Sequence, residues 1–323
     1  MRRILAALAV AALAAGSMAN SAVADDSTTG VIRFVVGTPP GGALDPYARV
    51  IADKMKQELG QTIIIENKPG ANGNISAHTV VQAPADGLTV WVGTQSMNEI
   101  NPSAFSHLPW KTSDFTPLIK GVEAPLVLVT NPNVPAKDLK SLVAWIKANK
   151  GKVSFGSFSP GTPSHFLGFQ MNQRFGLDMT HVPYRGAAPQ TTDLLAGNVP
   201  LGFAQIAAAL PHIKAGKLNA IATTSAKRFR LTPDVPTFAE LGYPDLTATI
   251  WFGLLIRAST PAPIRERLLK AAIAAHRDPV VKAKLEAMGF DVPALAGKAF
   301  SDELTAQIER WRKLVVATGF KAN

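Results

Sequence analysis

Val31-Ile32-Arg33-Phe34-Val35-Val36-Gly37-Thr38-Pro39-Pro40-Gly41-Gly42-Ala43-Leu44-Asp45-Pro46 is the stretch that decides the fold. Its first six residues are a short apolar run rich in β-branched side chains, which reads as a buried strand. Asp45 then offers an N-cap and Pro46 a first helical residue. Beyond them Tyr47, Val50, Ile51, Met55 and Leu59 recur at helical spacing, and Gly60 supplies the stop. The pattern repeats outward: a strand over 62–65, a helix over 74–82, a strand over 88–92. Strand, helix and strand at this length imply right-handed crossovers and a parallel sheet. Further strands are expected over 126–130, 153–155, 180–182, 201–204 and 218–222. Helices are expected over 138–149, 164–175, 188–196 and 207–215, and from Pro261 onward over 263–275, 279–288 and 301–317.

The chain has 323 residues, too many for one ordinary core, and fits two domains. No Gly/Ser linker interrupts it. Two domains that share the chain through strand crossovers leave no composition break, and that arrangement suits a hinged molecule.

Two loops follow predicted strands and precede helices, the position where open α/β sheets bind ligands. In the first, over 37–45, Pro39 and Pro40 stiffen the approach while Gly41 and Gly42 let the backbone come close to a ligand. Free N–H groups at such a helix start attract anions. The same residues also make a tight strand-to-helix turn, and the segment alone leaves both readings open. No Gly-Lys-Ser/Thr follows and the GxGxxG spacing is absent, which excludes a nucleotide loop of either kind. The second loop, over 156–165, carries Ser157, Ser159, Gly161, Thr162, Ser164 and His165 with two prolines. Short hydroxyls on a stiff backbone form a nest for a carboxylate. The spacing does not fit a Gly-x-Ser-x-Gly esterase.

Composition narrows the classes further. The sequence has no cysteine, which excludes disulfides, thiolate metal sites and thiol catalysis. None of the six histidines forms an HxH or HExxH pair, so no metal or other cofactor is expected. The net charge of +10 either favours encounter with anions or is solubilising surface, and composition alone leaves both readings open. The basic residues are scattered without aromatic clusters, so nucleic acid is not an expected partner. Arg2, Arg3, an apolar run over 4–15 and Ala22-Val23-Ala24 read as a secretory signal peptide cut after Ala24, with Ala19 as the alternative. An exported chain without cysteine fits the bacterial periplasm.

With both loops placed, the chain resembles the Bug family, the extracytoplasmic receptors of tripartite tricarboxylate transporters. The resemblance is carried by Pro39-Pro40-Gly41-Gly42 with Asp45, Glu66-Asn67-Lys68-Pro69-Gly70-Ala71-Asn72-Gly73-Asn74, Asp86-Gly87 and Gly93-Thr94. It continues in Ile100-Asn101-Pro102, the second loop, His181-Val182-Pro183-Tyr184-Arg185-Gly186, the segment 210–218, Thr224-Ser225-Ala226-Lys227-Arg228, Pro233-Asp234-Val235-Pro236-Thr237 and Trp251-Phe252-Gly253-Leu254. It implies an α/β periplasmic binding protein of the Venus-flytrap, type II-like kind, with mixed, mostly parallel sheets. Two lobes, 25–126 plus 252–323 and 127–251, would face a cleft across a hinge of two crossing strands. The expected ligand is a small organic carboxylate, held largely by backbone groups and waters and delivered by hinge closure to the membrane subunits of a transporter; the protein would be a monomer and not an enzyme. A co-receptor for a sensor kinase would have the same cleft, and a periplasmic hydrolase would need a nucleophile and base that the sequence does not pair.

Carried residue by residue, the resemblance places Thr38, Pro40, Gly41, Gly42, Ala43 and Leu44 on one wall. Ser157, Ser159, Gly161, Thr162, Ser164 and His165 form the facing wall, with Thr94-Gln95-Ser96 as another wall and Tyr184-Arg185-Gly186 near the mouth or floor. The chain departs from the family pattern at Gln205, a neutral amide where an aspartate is common, and at Asn98-Glu99, where a histidine is common. Gln205 either reaches the ligand, favouring an acid without an α-amino group, or caps the helix that follows. Asp45 is expected to cap its helix rather than touch the ligand. Arg185 is either an anion clamp or a brace outside the cleft.

Overall fold

The structure, a computed structural model, describes residues 29–40 and 43–322. The segment read as a signal peptide and two expected ligand contacts, Gly41 and Gly42, lie outside the described residues. The chain opens with β1 (Ile32–Val36), α1 (Leu44–Leu59), β2 (Ile63–Asn67), α2 (Asn74–Gln82) and β3 (Thr89–Thr94). A π-helical turn over Ser96–Ile100 runs into the short α3 (Asn101–Ala104). There follow β4 (Phe115–Thr130), α4 (Leu139–Ala148), β5 (Ser154–Ser157), α5 (Pro163–Phe175), β6 (Thr180–Pro183), α6 (Ala187–Ala196), β7 (Leu201–Gln205), α7 (Ile206–Lys214) and β8 (Asn219–Thr223). The remainder is β9 (Thr249–Arg257), α8 (Ala262–Arg277), α9 (Pro279–Ala287), β10 (Leu295–Ala296) and α10 (Lys298–Thr318).

The strands form one mixed sheet in the order β2-β1-β3-β9-β4-β7-β5-β6, with β8 and β10 also paired to β4. Parallel pairs occupy the two ends: β1 lies between β2 and β3, and β5 between β6 and β7. In the middle, β9 and β4 run antiparallel to their neighbours. The 16-residue β4 changes partner along its length. Up to Pro125 it pairs with β9; from Leu126 it lies between β7 and β8.

The sequence reading anticipated only 126–130 of β4, because Pro117, Lys120, Gly121, Glu123 and Pro125 break the apolar pattern before it. The structure absorbs them by shifting register between Pro117 and Ile119 and again between Lys120 and Val122. Lys120 is tied to Glu123 and Glu303 instead of being excluded to solvent. At this crossing Gly253 of β9 stands against the backbone carbonyl of Ile119, so closely that a Cβ there would collide.

Helix ends follow local chemistry. Asp138 caps α4 by accepting from Ser141 N at 2.7 Å, and Gly60 closes α1 in the left-handed conformation. The core is continuous across the sheet, with Phe34, Trp91, Phe155 and Phe203 fully buried on its strands.

A candidate ligand cavity

The first loop is braced from β2. Asn67 donates Nδ2–H bonds to the Thr38 carbonyl and to Asp45 Oδ1, both at 3.0 Å. Asp45 also accepts from Arg49 at 2.9 and 3.1 Å. The expectation that Asp45 caps the helix is corrected: Ala43 occupies the cap position and Asp45 lies inside the first turn. There its carboxylate still favours the positive helix end. The Thr38 hydroxyl is buried and has no hydrogen-bond partner.

Behind β3, Asn101 donates to the carbonyl of Asn72 at 3.0 Å and to Asn74 Oδ1 at 2.9 Å, while Asn72 Nδ2 donates to Asn101 Oδ1 at 2.8 Å. This knot fixes the 70–74 turn against α3. On the π-helical turn, the Glu99 carboxylate is 2% exposed; it accepts from Trp251 Nε1 at 2.7 Å and Gln95 Nε2 at 2.8 Å.

The second loop is held from within. Ser157 Oγ lies 2.6 Å from His181 Nε2, and Thr162 Oγ1 donates to the Ser159 carbonyl at 2.6 Å. Ser164 Oγ donates to the Phe203 carbonyl, also at 2.6 Å. The rings of His165 and His181 stack at 4.0 Å. Burial lowers both imidazoles from 6.5 to about 4, so both are neutral at pH 7. Ser157 is fully buried, and no carboxylate bonds His181 among the described residues, so this Ser–His contact braces a turn rather than arming a nucleophile. At Gly161, φ is +70° and a Cβ would stand 3.1 Å from the Phe320 ring, so the turn presses directly on the chain's C-terminal end.

Between the loops lies a cavity of about 270 Å³. It brings together the expected residues Thr38, Ala43, Leu44, Thr94, Gln95, Thr162 and Gln205. Pro40, Ser157, Ser159, Gly161, Ser164, His165 and Tyr184 are not among its lining residues. Ser157 and Ser164 spend their hydroxyls inside the fold, and Tyr184 donates to Asp193 at 2.8 Å. Arg185 is exposed and also stands outside the lining. Asn72, Ser96 and the buried Phe158 also contribute, as do Gly186 with Ala187 and Ile250, Trp251 and Phe252 of β9. The β9 residues escaped the sequence reading as site residues; the same run of apolar side chains reads first as core.

Among the described residues no charged side chain lines this cavity. What converges on it instead are helix beginnings: Leu44 opens α1, Thr162 precedes α5, Gly186 and Ala187 open α6, and Gln205 precedes α7. None of these four starts is closed by a side-chain cap. Gln205 therefore holds the cap position without capping, and its amide belongs to the cavity wall. Uncapped first turns present positive partial charge, which makes a neutral-walled cavity attractive to an anion.

Residues 47–320 match the tripartite tricarboxylate transporter family receptor. The chain belongs to that family. Over 99% of each chain, it is 32% identical to Protein BugT of Bordetella pertussis. Among solved structures, MatC from Rhodopseudomonas palustris with bound malate superposes with a TM-score of 0.77 at 30% identity, covering 88% of this chain and 98% of that one. An R. palustris protein solved with adipate gives 0.80 at 28% identity, covering 90% and 97%. This receptor thus has the two-domain α/β fold of periplasmic binding proteins, as its sequence implied.

The histidines of this receptor give a pH prediction. Burial lowers His165, His181 and His276 to about 4. Unfolded imidazoles titrate near 6.5, so between those values the unfolded chain binds more protons and folding weakens as pH falls. Glu99, raised by burial to about 7, opposes this, because its folded form holds a proton that the unfolded carboxyl gives up. Three groups outweigh one: the melting temperature is expected to drop as pH goes from 6.5 to 4, and His276→Gln to flatten that slope. A melting temperature that rises toward pH 4 would contradict the assignment.

Proposed function

We propose that this receptor captures a small organic carboxylate in the 270 Å³ cavity and presents it, closed, to the membrane subunits of a tripartite transporter. The observation that carries the reading is the convergence of the α1, α5, α6 and α7 beginnings on a cavity without charged side chains among the described residues. Backbone N–H groups, the Gln205 amide and the unpartnered Thr38 hydroxyl supply donors that suit a carboxylate. Relatives solved with malate and adipate support the ligand class. The neutral Gln205 favours an acid without an α-amino group, since it offers no countercharge to an ammonium.

In this reading the lobes are 25–126 with 252–323, and 127–251, and the hinge runs through β4 and β9. Ligand contacts bridging the lobes stabilise the closed form by their differential affinity. The protein acts as a monomeric carrier rather than a catalyst, exported to the periplasm after cleavage near Ala24. In support of this, His165 and His181 are neutral and Ser157 and Ser164 bond within the fold.

A thermal-shift screen tests this. At 100 times Kd, a true ligand adds about 2.7 kcal/mol of stability by mass action. Mono- and dicarboxylates, malate and adipate among them, are expected to raise the melting temperature; neutral sugars and amines are not. A panel in which sugars or amines stabilise the protein and no carboxylate does would refute the proposal.

A further inference from the structure

Glu99 stands at a partition. On one side its partner Gln95 lines the ligand cavity together with Ser96; on the other, Glu99 itself borders a larger cleft of about 380 Å³. Its two oxygens accept from different elements, Gln95 Nε2 on its own turn and Trp251 Nε1 on β9. With Gln95 Nε2 committed to Glu99, the Gln95 carbonyl oxygen is left to accept from Ser96 Oγ at 3.3 Å. The Ser96 hydroxyl therefore gives its one hydrogen to Gln95 and shows the cavity only lone pairs. An anionic ligand meets an acceptor there, where it needs a donor.

A proton on Glu99 reverses this chain. The carboxylic acid must donate, and Gln95 can receive that bond only by turning its amide so that Oε1 faces Glu99. Nε2 then donates to Ser96 Oγ, and the Ser96 hydroxyl is released to donate into the cavity. No other group has to move, and Trp251 continues to donate to the second carboxyl oxygen. We propose that Glu99, acting through Gln95, sets whether Ser96 offers the cavity an acceptor or a donor, and is thereby the positioning residue that makes capture of an anion proton-dependent. The proposal rests on the carboxylate-receptor reading above.

The surroundings permit the proton to come and go. Burial raises the Glu99 carboxyl to about 7; the Trp251 and Gln95 bonds and Lys120 of β4 pull it down, and Glu303 of α10 pushes it up. Arg310 of α10 also faces Glu99 across the larger cleft, where Lys120 is itself neutralised by Glu123 and Glu303. Glu99 borders that cleft and is absent from the lining of the ligand cavity, so its proton need not pass through the ligand. By linkage, a ligand that requires the donor state draws a proton onto Glu99, and its affinity rises as pH falls.

The experiment has a ligand-free arm and a binding arm. In the ligand-free protein, the Trp251 indole and the Gln95 side-chain amide are followed by 1H–15N NMR from pH 5 to 9. Both are expected to shift with one common midpoint in the wild type and to stay still in Glu99→Gln, whose amide mimics the protonated acid. Resonances that do not titrate, or that titrate equally in Glu99→Gln, overturn the relay. In the binding arm, adipate affinity by calorimetry is expected to be about tenfold higher at pH 6 than at pH 8, the size of one hydrogen bond to a charged group. Ser96→Ala should keep the NMR titration and lose the pH dependence of binding. A tenfold dependence that survives Ser96→Ala means direct repulsion by Glu99 and overturns the relay; it also covers the case in which Glu99→Gln does not fold. If no carboxylate binds at any pH, the receptor reading fails, while the NMR arm still decides the Glu99 switch on its own.

Discussion

With Ala187 replaced by Trp, carboxylate binding should weaken by roughly 100-fold or more while the fold is kept. Ala187 is the first residue of α6, half-buried, and lines the cavity beside Gly186. An indole at that point fills much of a space of about 270 Å³ and covers the α6 beginning itself, so it removes both volume and donors. The helix tolerates it, because a Trp in place of Ala costs only about 0.5 kcal/mol of propensity. Thr192, exposed on the same helix, gives the control: Thr192→Trp should leave affinity unchanged. Calorimetry with the acid found by the thermal-shift screen, alongside a melt, separates the outcomes. Affinity within a few-fold of wild type in Ala187→Trp would place the ligand elsewhere.

Trp251→Ala is expected to be the most destabilising single substitution in β9, costing about 3–5 kcal/mol from lost packing. Trp251 is 2% exposed and meets Phe300 of α10 edge-on at 5.2 Å, forming with Leu304 a small cluster separate from the main core. Its indole also donates to Glu99, so its loss strands a buried carboxyl oxygen. Trp251→Phe divides the two effects: it keeps most of the ring contact and loses the hydrogen bond, for about 1–3 kcal/mol. Urea unfolding of the pair measures both. Equal stability of Trp251→Ala and wild type would show that α10 is not anchored to β9 through this ring.

Much of the chain was legible because its signals are local. The helix expected over 74–82 is α2, with Gly73 and Ala83 at its ends; Asp138 caps α4; Gly60 stops α1. These depend on neighbouring residues and backbone conformation, which sequence spacing reports directly. The first part of β4 was not legible, because its prolines and charged residues break the strand pattern. They are accommodated only by bulges and by ion pairs to residues as distant as Glu303. Asp45 shows the same limit at a single position. Before a proline it has the composition of a cap, yet Asn67, 22 residues away, and Arg49 claim its carboxylate.

By itself the sequence determined the alternation of strand and helix, the stiff loops that follow β1 and β5, and the kind of receptor. It could do so because period, turn chemistry and motif order are properties of neighbours along the chain. Only the tertiary structure decided which of those loop residues share a cavity. A hydroxyl such as that of Ser164 serves a ligand or the fold according to what stands 2.6 Å away, and here that is the carbonyl of Phe203, 39 residues distant. The convergence of four uncapped helix beginnings, and the placing of Glu99 between two cavities, arise from packing of segments far apart in the chain, where no local pattern reaches.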